Sequence, residues 1–305
     1  MLTASLFYFS LLFFPALTLE PFAWISPVEA REVSSVTLAF PELQLIEIKN
    51  LPVKKIETTL PVIQAKSALV QDLESGEILY EKNSATVLPI ASLTKIMTAI
   101  LVLEENDPEE ITTVTDSSPQ TEGSKIWLRT GEKVKVIDLL HGMLINSGND
   151  AAVSLAIYNA GSVEKFVAKM NQKAKILGMT NSHFTNPAGL DDPNHYSTAR
   201  DLAKLARYSL HNQLLQEIVK KKTYRFRSLS GFTHQLKNTN KLLESFLNIE
   251  GLKTGLTKNA GECLITVAIS PQGKKILIIV LDSPARFQES KVLTWWVFQN
   301  YLWPV

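Results

Sequence analysis

The sequence predicts an α+β fold: an antiparallel β-sheet built from both ends of the folded region, covered by helices inserted between its strands. Three observations predict it. Alternating residues at 68–72 and 78–80 flank a Ser75-Gly76 turn and read as a hairpin. Two further strand patterns, 262–269 and 275–282, surround Pro271-Gln272-Gly273, a second hairpin turn. Between these pairs lie five stretches of helical periodicity, and strands at the ends with helices between them make a layered sheet-and-helix domain.

Taken in order, the chain opens on an apolar run at 2–19, and Val28-Glu29-Ala30 puts small or apolar residues at −3 and −1 before Arg31. Residues 1–30 therefore read as a secretory signal cut after Ala30. The run also approaches the length of a membrane span and has no Lys or Arg ahead of it, so a retained N-terminal anchor is the alternative. Residues 31–66 contain Pro41, Pro52 and Pro61 without a sustained period and read as a partly extended linker. The domain proper is expected over 67–305. Its helices are predicted at 92–105 (with Ile96, Met97, Ile100 and Leu101 on one side), 136–145, 150–160, 162–177 and 198–211. Lys220-Lys221-Lys222 leads into the alternating 223–227, a strand with a solvated charged face. A last helix is predicted over 286–303, and its Trp295, Trp296, Phe298, Tyr301 and Trp303 are expected to pack on the sheet, with membrane contact as the alternative.

With 305 residues, 45% hydrophobic content and a net charge of +1, there is room for one large domain or two closely packed subdomains. No strong field attracts nucleic acid. The single cysteine, Cys263, lies in an apolar run and reads as a small buried hydrophobe, so no disulfide can form within the chain. His141, His183, His195 and His211 show no metal-ligand spacing and read as satisfied core or loop histidines.

Chemistry is carried by three motifs in fixed order: Ser92-Leu93-Thr94-Lys95, Ser147-Gly148-Asn149 and Lys253-Thr254-Gly255. A serine hydroxyl needs a base during attack, and Lys95, three residues on along a helical turn, shares a face with Ser92. It serves as base only when neutral, a state favoured by burial and by a second cation such as Lys253. Ser162-Val163-Glu164-Lys165 repeats the first spacing without the other motifs, and Arg129-Thr130-Gly131 imitates the third but precedes Ser147 in a polar turn.

The segment 90–99 around Ser92 resembles the active-site helix of the low-molecular-weight penicillin-binding proteins, the serine D-alanyl-D-alanine carboxypeptidases. Asn146-Ser147-Gly148-Asn149-Asp150-Ala151-Ala152, Asn186-Pro187-Ala188-Gly189-Leu190-Asp191, Tyr196-Ser197-Thr198-Ala199-Arg200-Asp201 and Gly251-Leu252-Lys253-Thr254-Gly255-Leu256-Thr257 resemble the same family in order and register. The resemblance implies a β-lactamase/transpeptidase-like fold with an inserted all-helical subdomain. Ser92 would be the nucleophile and Lys95 its base, with Ser147 and Asn149 on the opposite wall and Lys253, Thr254 and Gly255 on a strand facing them. The oxyanion would lie between the N–H groups of Ser92 and Leu256; some relatives have histidine where this chain has Leu256. Arg286 would face the substrate's terminal carboxylate, its alternative being a surface residue at a helix start. His234 stands where some relatives have another basic residue, and a structural histidine at a strand edge is equally expected.

The implied activity is an exported, extracytoplasmic carboxypeptidase that trims peptidoglycan pentapeptides through an acyl-enzyme, is acylated by β-lactams, and needs no metal or organic cofactor. Membrane association, if any, would come through the N-terminal segment. A D,D-endopeptidase, a β-lactamase and a catalytically silent cell-wall-binding protein remain as alternatives. Asp191 and Asp192, beside Pro193-Asn194, read as turn residues and not as the extra carboxylate of a β-lactamase.

Overall fold

The computed structural model describes residues 51–55 and 59–304. The expected signal or anchor, 1–30, and the linker up to residue 50 lie outside the described residues. In chain order the elements are β1 (Val53–Lys54), β2 (Ser67–Asp72), β3 (Ile78–Lys82), α1 (Lys95–Glu105), β4 (Ile111–Thr113), β5 (Lys133–Lys135), α2 (Val136–Ile145), α3 (Asn149–Ala160), α4 (Val163–Ile176), α5 (Ala199–Ser209), α6 (Gln213–Lys220), β6 (Thr223–Arg227), β7 (Thr233–Lys237), β8 (Ile249–Thr257), β9 (Gly261–Ile269), β10 (Lys275–Ser283), α7 (Arg286–Asn300) and β11 (Tyr301–Leu302).

Five strands form one sheet in the order β3-β2-β10-β9-β8, with every neighbouring pair antiparallel. Leu69 pairs with Ile279 and Ala68 with Val280, so the two-residue period sends alternate side chains to opposite faces. Leu69, Ile265 and Ile279 share a core with Leu93, Ile96 and Leu139 of the helices, whereas Ala68, Val70, Ile278 and Val280 meet Leu293, Trp296 and Val297 of α7. Both faces are covered. That is why residues 276–281 are apolar without interruption, although the sheet is antiparallel.

Several helix ends follow from local chemistry. The Lys165 N–H donates to Ser162 Oγ at 3.2 Å and the Asp201 N–H to Thr198 Oγ1 at 3.1 Å, which caps α4 and α5. Ser162, the serine of the second S-x-x-K, is thus an N-cap on an exposed turn. No helix among the described residues is long and apolar enough to cross a membrane.

The structure departs from the sequence expectations at several places. The last helix stops at Asn300 and not at residue 303: Tyr301 is extended (φ −120°, ψ 147°), and β11 pairs with β1. Tertiary contacts outweigh helix continuation there, because Tyr301 Oη donates to Leu79 O at 2.6 Å and Trp303 Nε1 to Asp72 Oδ1 at 2.8 Å. Packing also begins ahead of Ser67, since Lys54 pairs with Tyr301 and Ile63 and Ala65 are buried. Helix α6 and strands β4 and β5 were not anticipated; each is short. The 92–105 helix begins as a 3-10 turn, Ala91–Thr94, before α1.

Candidate active site

Ser92 sits in that 3-10 turn, directly after a strained residue. Buried Ala91 has φ +47°, in the left-handed region that L residues seldom adopt. The turn is held from one side by a relay. The Thr185 N–H donates to His195 Nδ1 at 3.1 Å, which leaves the ring proton on Nε2 to be donated to Thr94 Oγ1 at 2.7 Å, and Thr94 Oγ1 donates to Ala91 O at 2.8 Å. Burial brings His195 down to about 4, so the neutral ring this relay requires is the stable one.

Gly189 lies against the same carbonyl. Its φ is +82°, and a Cβ there would fall 1.9 Å from Ala91 O and 2.4 Å from Ala91 C, both backbone atoms. Gly189→Ala should therefore cost about 2 kcal/mol or more, a fall of roughly 4–8 °C in Tm. The control is Gly161→Ala, with φ +79° and nothing within 4 Å, which carries the conformational cost alone. Equal melting shifts for the two variants would show that the contact with Ala91 is not what demands glycine.

Lys95 is fully buried, and its Nζ lies 2.8 Å from Ser92 Oγ, 2.6 Å from Asn149 Oδ1 and 2.6 Å from Ala188 O. The Asn149 amide is oriented by its Nδ2 donating to Glu122 O at 2.6 Å, so Oδ1 must face the lysine. Two of the three partners are thus oxygens that only accept. A neutral amine has two N–H donors for them and one lone pair, which is left for the only partner able to donate, the Ser92 hydroxyl. Burial, then the nearby Lys253 charge, hold the ammonium form well below the usual lysine range against the opposing pull of Asp150. Asp150 is buried at the start of α3, where its carboxylate accepts the N–H groups of Ile126 (3.0 Å), Leu128 (3.1 Å) and Ala151 (2.9 Å).

The facing wall is β8. Lys253 pairs with Ile265, whose side chain belongs to the core on the helical side of the sheet. Gly255 permits the close approach: a Cβ there would stand 3.0 Å from Ala91 Cβ and Ile90 O and 3.3 Å from Ser92 N. Lys253 Nζ is buried without a hydrogen-bond partner, and burial followed by the Arg286 charge brings it to about 7. Arg286, the first residue of α7, donates from Nη1 to Gly255 O at 2.5 Å, while its Nε makes no hydrogen bond and lies 4.0 Å from Glu262 Oε2. Its side chain is only 11% exposed, so it is not a surface residue at a helix start. Thr254 Oγ1 lies 2.6 Å from Thr239 Oγ1, and the Thr239 N–H donates to Ile145 O at 3.1 Å, which ties β8 to the end of α2 two residues before Ser147. Ser147 itself has φ +62° and is buried, whereas Leu256 is 61% exposed.

Comparison with known proteins gives a consistent assignment. The family described as D-alanyl-D-alanine carboxypeptidase matches residues 54–285. The chain belongs to this family. Among curated relatives, it is 36% identical over 234 residues to the D-alanyl-D-alanine carboxypeptidase DacF of Bacillus subtilis, covering 75% of this chain and 60% of that protein. It is 34% identical over 255 residues to the D-alanyl-D-alanine endopeptidase of Escherichia coli, covering 80% and 81%. The crystal structure of the Streptomyces K15 DD-transpeptidase superposes with a TM-score of 0.75 at 33% identity, over 79% of this chain and all of that one. The chain spans about three-fifths of the length of the first curated relatives it matches. The α+β architecture shared with that DD-transpeptidase is the one the sequence resemblance implies.

Five participants escaped the sequence reading: Ala188 O, Glu122 O, Asp150, Gly189 and the His195 relay. Two are carbonyls, which carry no residue-type signal. Gly189 and Asp150 lay inside the family-like stretches without an assigned role. His234 is a structural residue: it is buried, stacks on Phe226 at 4.6 Å and pairs with Glu132 at 2.7 Å.

Proposed function

We propose that the chain is an exported serine-type D-alanyl-D-alanine carboxypeptidase acting on peptidoglycan stem peptides. The observation that carries this reading is the fully buried Lys95 amine, whose lone pair is left for Ser92 Oγ. Ser92 attacks the carbonyl between the two D-alanines as Lys95 takes its proton. The N–H groups of Ser92 and Leu256 stabilise the oxyanion; the exposed Leu256 side chain takes no part in this. Ser147 and Asn149 line the facing wall, with Ser147 passing the proton to the departing D-alanine. Water then hydrolyses the acyl-enzyme, with Lys95 again as base. β-Lactams acylate Ser92 in the same manner. No step requires a metal or organic cofactor.

A terminal carboxylate suits the unpartnered cation of Lys253, with Thr254 and Arg286 beside it. Export rests on the apolar run at 2–19, and whether that run is cleaved or retained decides any membrane association. A β-lactamase is less well supported: Asp192 Oδ1 accepts from Asn194 N at 2.7 Å and Asp191 Oδ2 from Asn259 N at 3.3 Å, which spends both carboxylates on the local fold.

The E. coli relative named an endopeptidase keeps a second reading open, cleavage within cross-links. One peptide pair separates them, a D-Ala-D-Ala acid and its C-terminal amide. The parent should strongly prefer the acid. Arg286→Ala, losing a charge-assisted bond of about 1.5–3 kcal/mol, should lower kcat/KM on the acid roughly 10- to 150-fold and change the amide little. Equal cleavage of acid and amide by the parent would transfer the assignment to an endopeptidase.

A further inference from the structure

Beside Ser147 lies a groove that the chemistry above does not use. It has a volume of about 350 Å³ and is lined by Trp127, Phe232, Lys125 and Arg129 and by Asn146, the residue before Ser147. Trp127 is unusual in two respects. The residue is 77% exposed, and its backbone is left-handed at φ +64°, a conformation that is an outlier for so bulky a residue. That conformation is imposed from below: the Asp150 carboxylate accepts the N–H of Ile126 on one side of Trp127 and of Leu128 on the other. The same loop reaches Lys95, because Glu122 O fixes the Asn149 amide and the Asn149 N–H donates to Ser124 O at 2.7 Å. Strain held in place by a buried carboxylate that adjoins the catalytic cluster marks a ligand clamp.

The lining charge is one-sided. The Lys125 ammonium stands 5.9 Å from the Trp127 ring and donates to Pro119 O, while the Arg129 guanidinium lies 4.0 Å over the Phe232 ring. The adjoining carboxylate, Glu132, is buried and turned away, accepting from His234 Nε2 and from the Arg129 backbone N–H. A groove with aromatic walls and two cations suits a carboxylate on a flexible apolar stem.

We propose that this groove is a second subsite, seating an acidic residue of the substrate peptide upstream of the scissile bond; this rests on the function proposed above. If the terminal D-alanine is held at Lys253 and Arg286, only the N-terminal part of the peptide remains to extend past Ser147. Arg129 and Lys125 take its carboxylate, and Trp127 covers its methylenes.

The experiment uses acyl-D-Ala-D-Ala peptides that differ only in glutamate or glutamine, placed one, two or three residues upstream. At one position the parent should favour glutamate by about tenfold in kcat/KM, mostly through KM. Arg129→Gln and Lys125→Gln should reduce that preference, and Trp127→Ala should raise KM for both peptides with kcat unchanged. Acylation by a small β-lactam, which does not reach the groove, should keep its parental rate in all three variants. Equal treatment of glutamate and glutamine at every position overturns the subsite, as does a matching loss of β-lactam acylation, which would make these residues structural. If no peptide releases D-alanine, the proposed function fails with it, and the absence of turnover tells that failure from the loss of a preference.

Discussion

Ser92→Ala abolishes covalent labelling of the protein by a β-lactam. The parent, digested after incubation, should carry the mass of the opened lactam on the peptide containing Ser92, and the variant should carry none. Losing an activated nucleophile costs on the order of 10⁶-fold in systems of this type, so residual labelling falls below detection. Energetics separate the loss from misfolding: the hydroxyl's one side-chain hydrogen bond is to Lys95, and Tm should stay within a few degrees of the parent. A label that persists in the variant, or that maps to Ser147 or Ser162, would mean the nucleophile is elsewhere. Ser162 is the useful comparison, since it has the same S-x-x-K spacing yet spends its Oγ capping α4.

What the sequence made legible follows from which interactions are local. The hairpin of β2 and β3, the pair β9 and β10, and helix α2 were readable because each is a periodic stretch ended by turn residues or by a change of period. β10 was readable as a strand, but its place at the centre of the sheet between β2 and β9 depends on pairings more than 180 residues apart for β2. α6 has only eight residues, and its face of Leu215, Ile218 and Val219 is too short a pattern to stand out. The end of α7 was misjudged because Tyr301 and Trp303 continue the aromatic pattern of the helix while serving a different partner, the β2–β3 hairpin.

The candidate site divides along the same line. An i, i+3 spacing brings Ser92 and Lys95 within 2.8 Å by local geometry alone. The neutrality of Lys95 depends instead on burial and on the charge of Lys253, far along the chain, and the aim of its lone pair depends on Asn149 and Ala188, 54 and 93 residues away. Likewise the left-handed Ala91 carries no signature in its residue type. It persists because Thr94 of the same turn, together with His195 and Gly189 from a distant loop, leaves its carbonyl one place to go.

Lys95→Arg should lower acylation by about 10²-fold or more, since a guanidinium keeps its proton at working pH and offers Ser92 no lone pair. The pH dependence gives the sharper result. Acylation requires neutral Lys95, so in the parent the rate rises as pH rises through the lowered pKa of this lysine. Lys253 acts in the opposite sense. With a value of about 7 in the empty site, it loses its charge as pH rises through that value, and kcat/KM for a substrate ending in a carboxylate declines above that point. The profile for the acid is therefore bell-shaped, and that for the C-terminal amide, which presents no charge to Lys253, keeps the acid limb and lacks most of the alkaline one. In Lys95→Arg the acid limb disappears with the base that produced it. A variant that retains most of the parental rate, or that keeps the same acid limb, would remove Lys95 from the role of base and make Ser147 the next candidate.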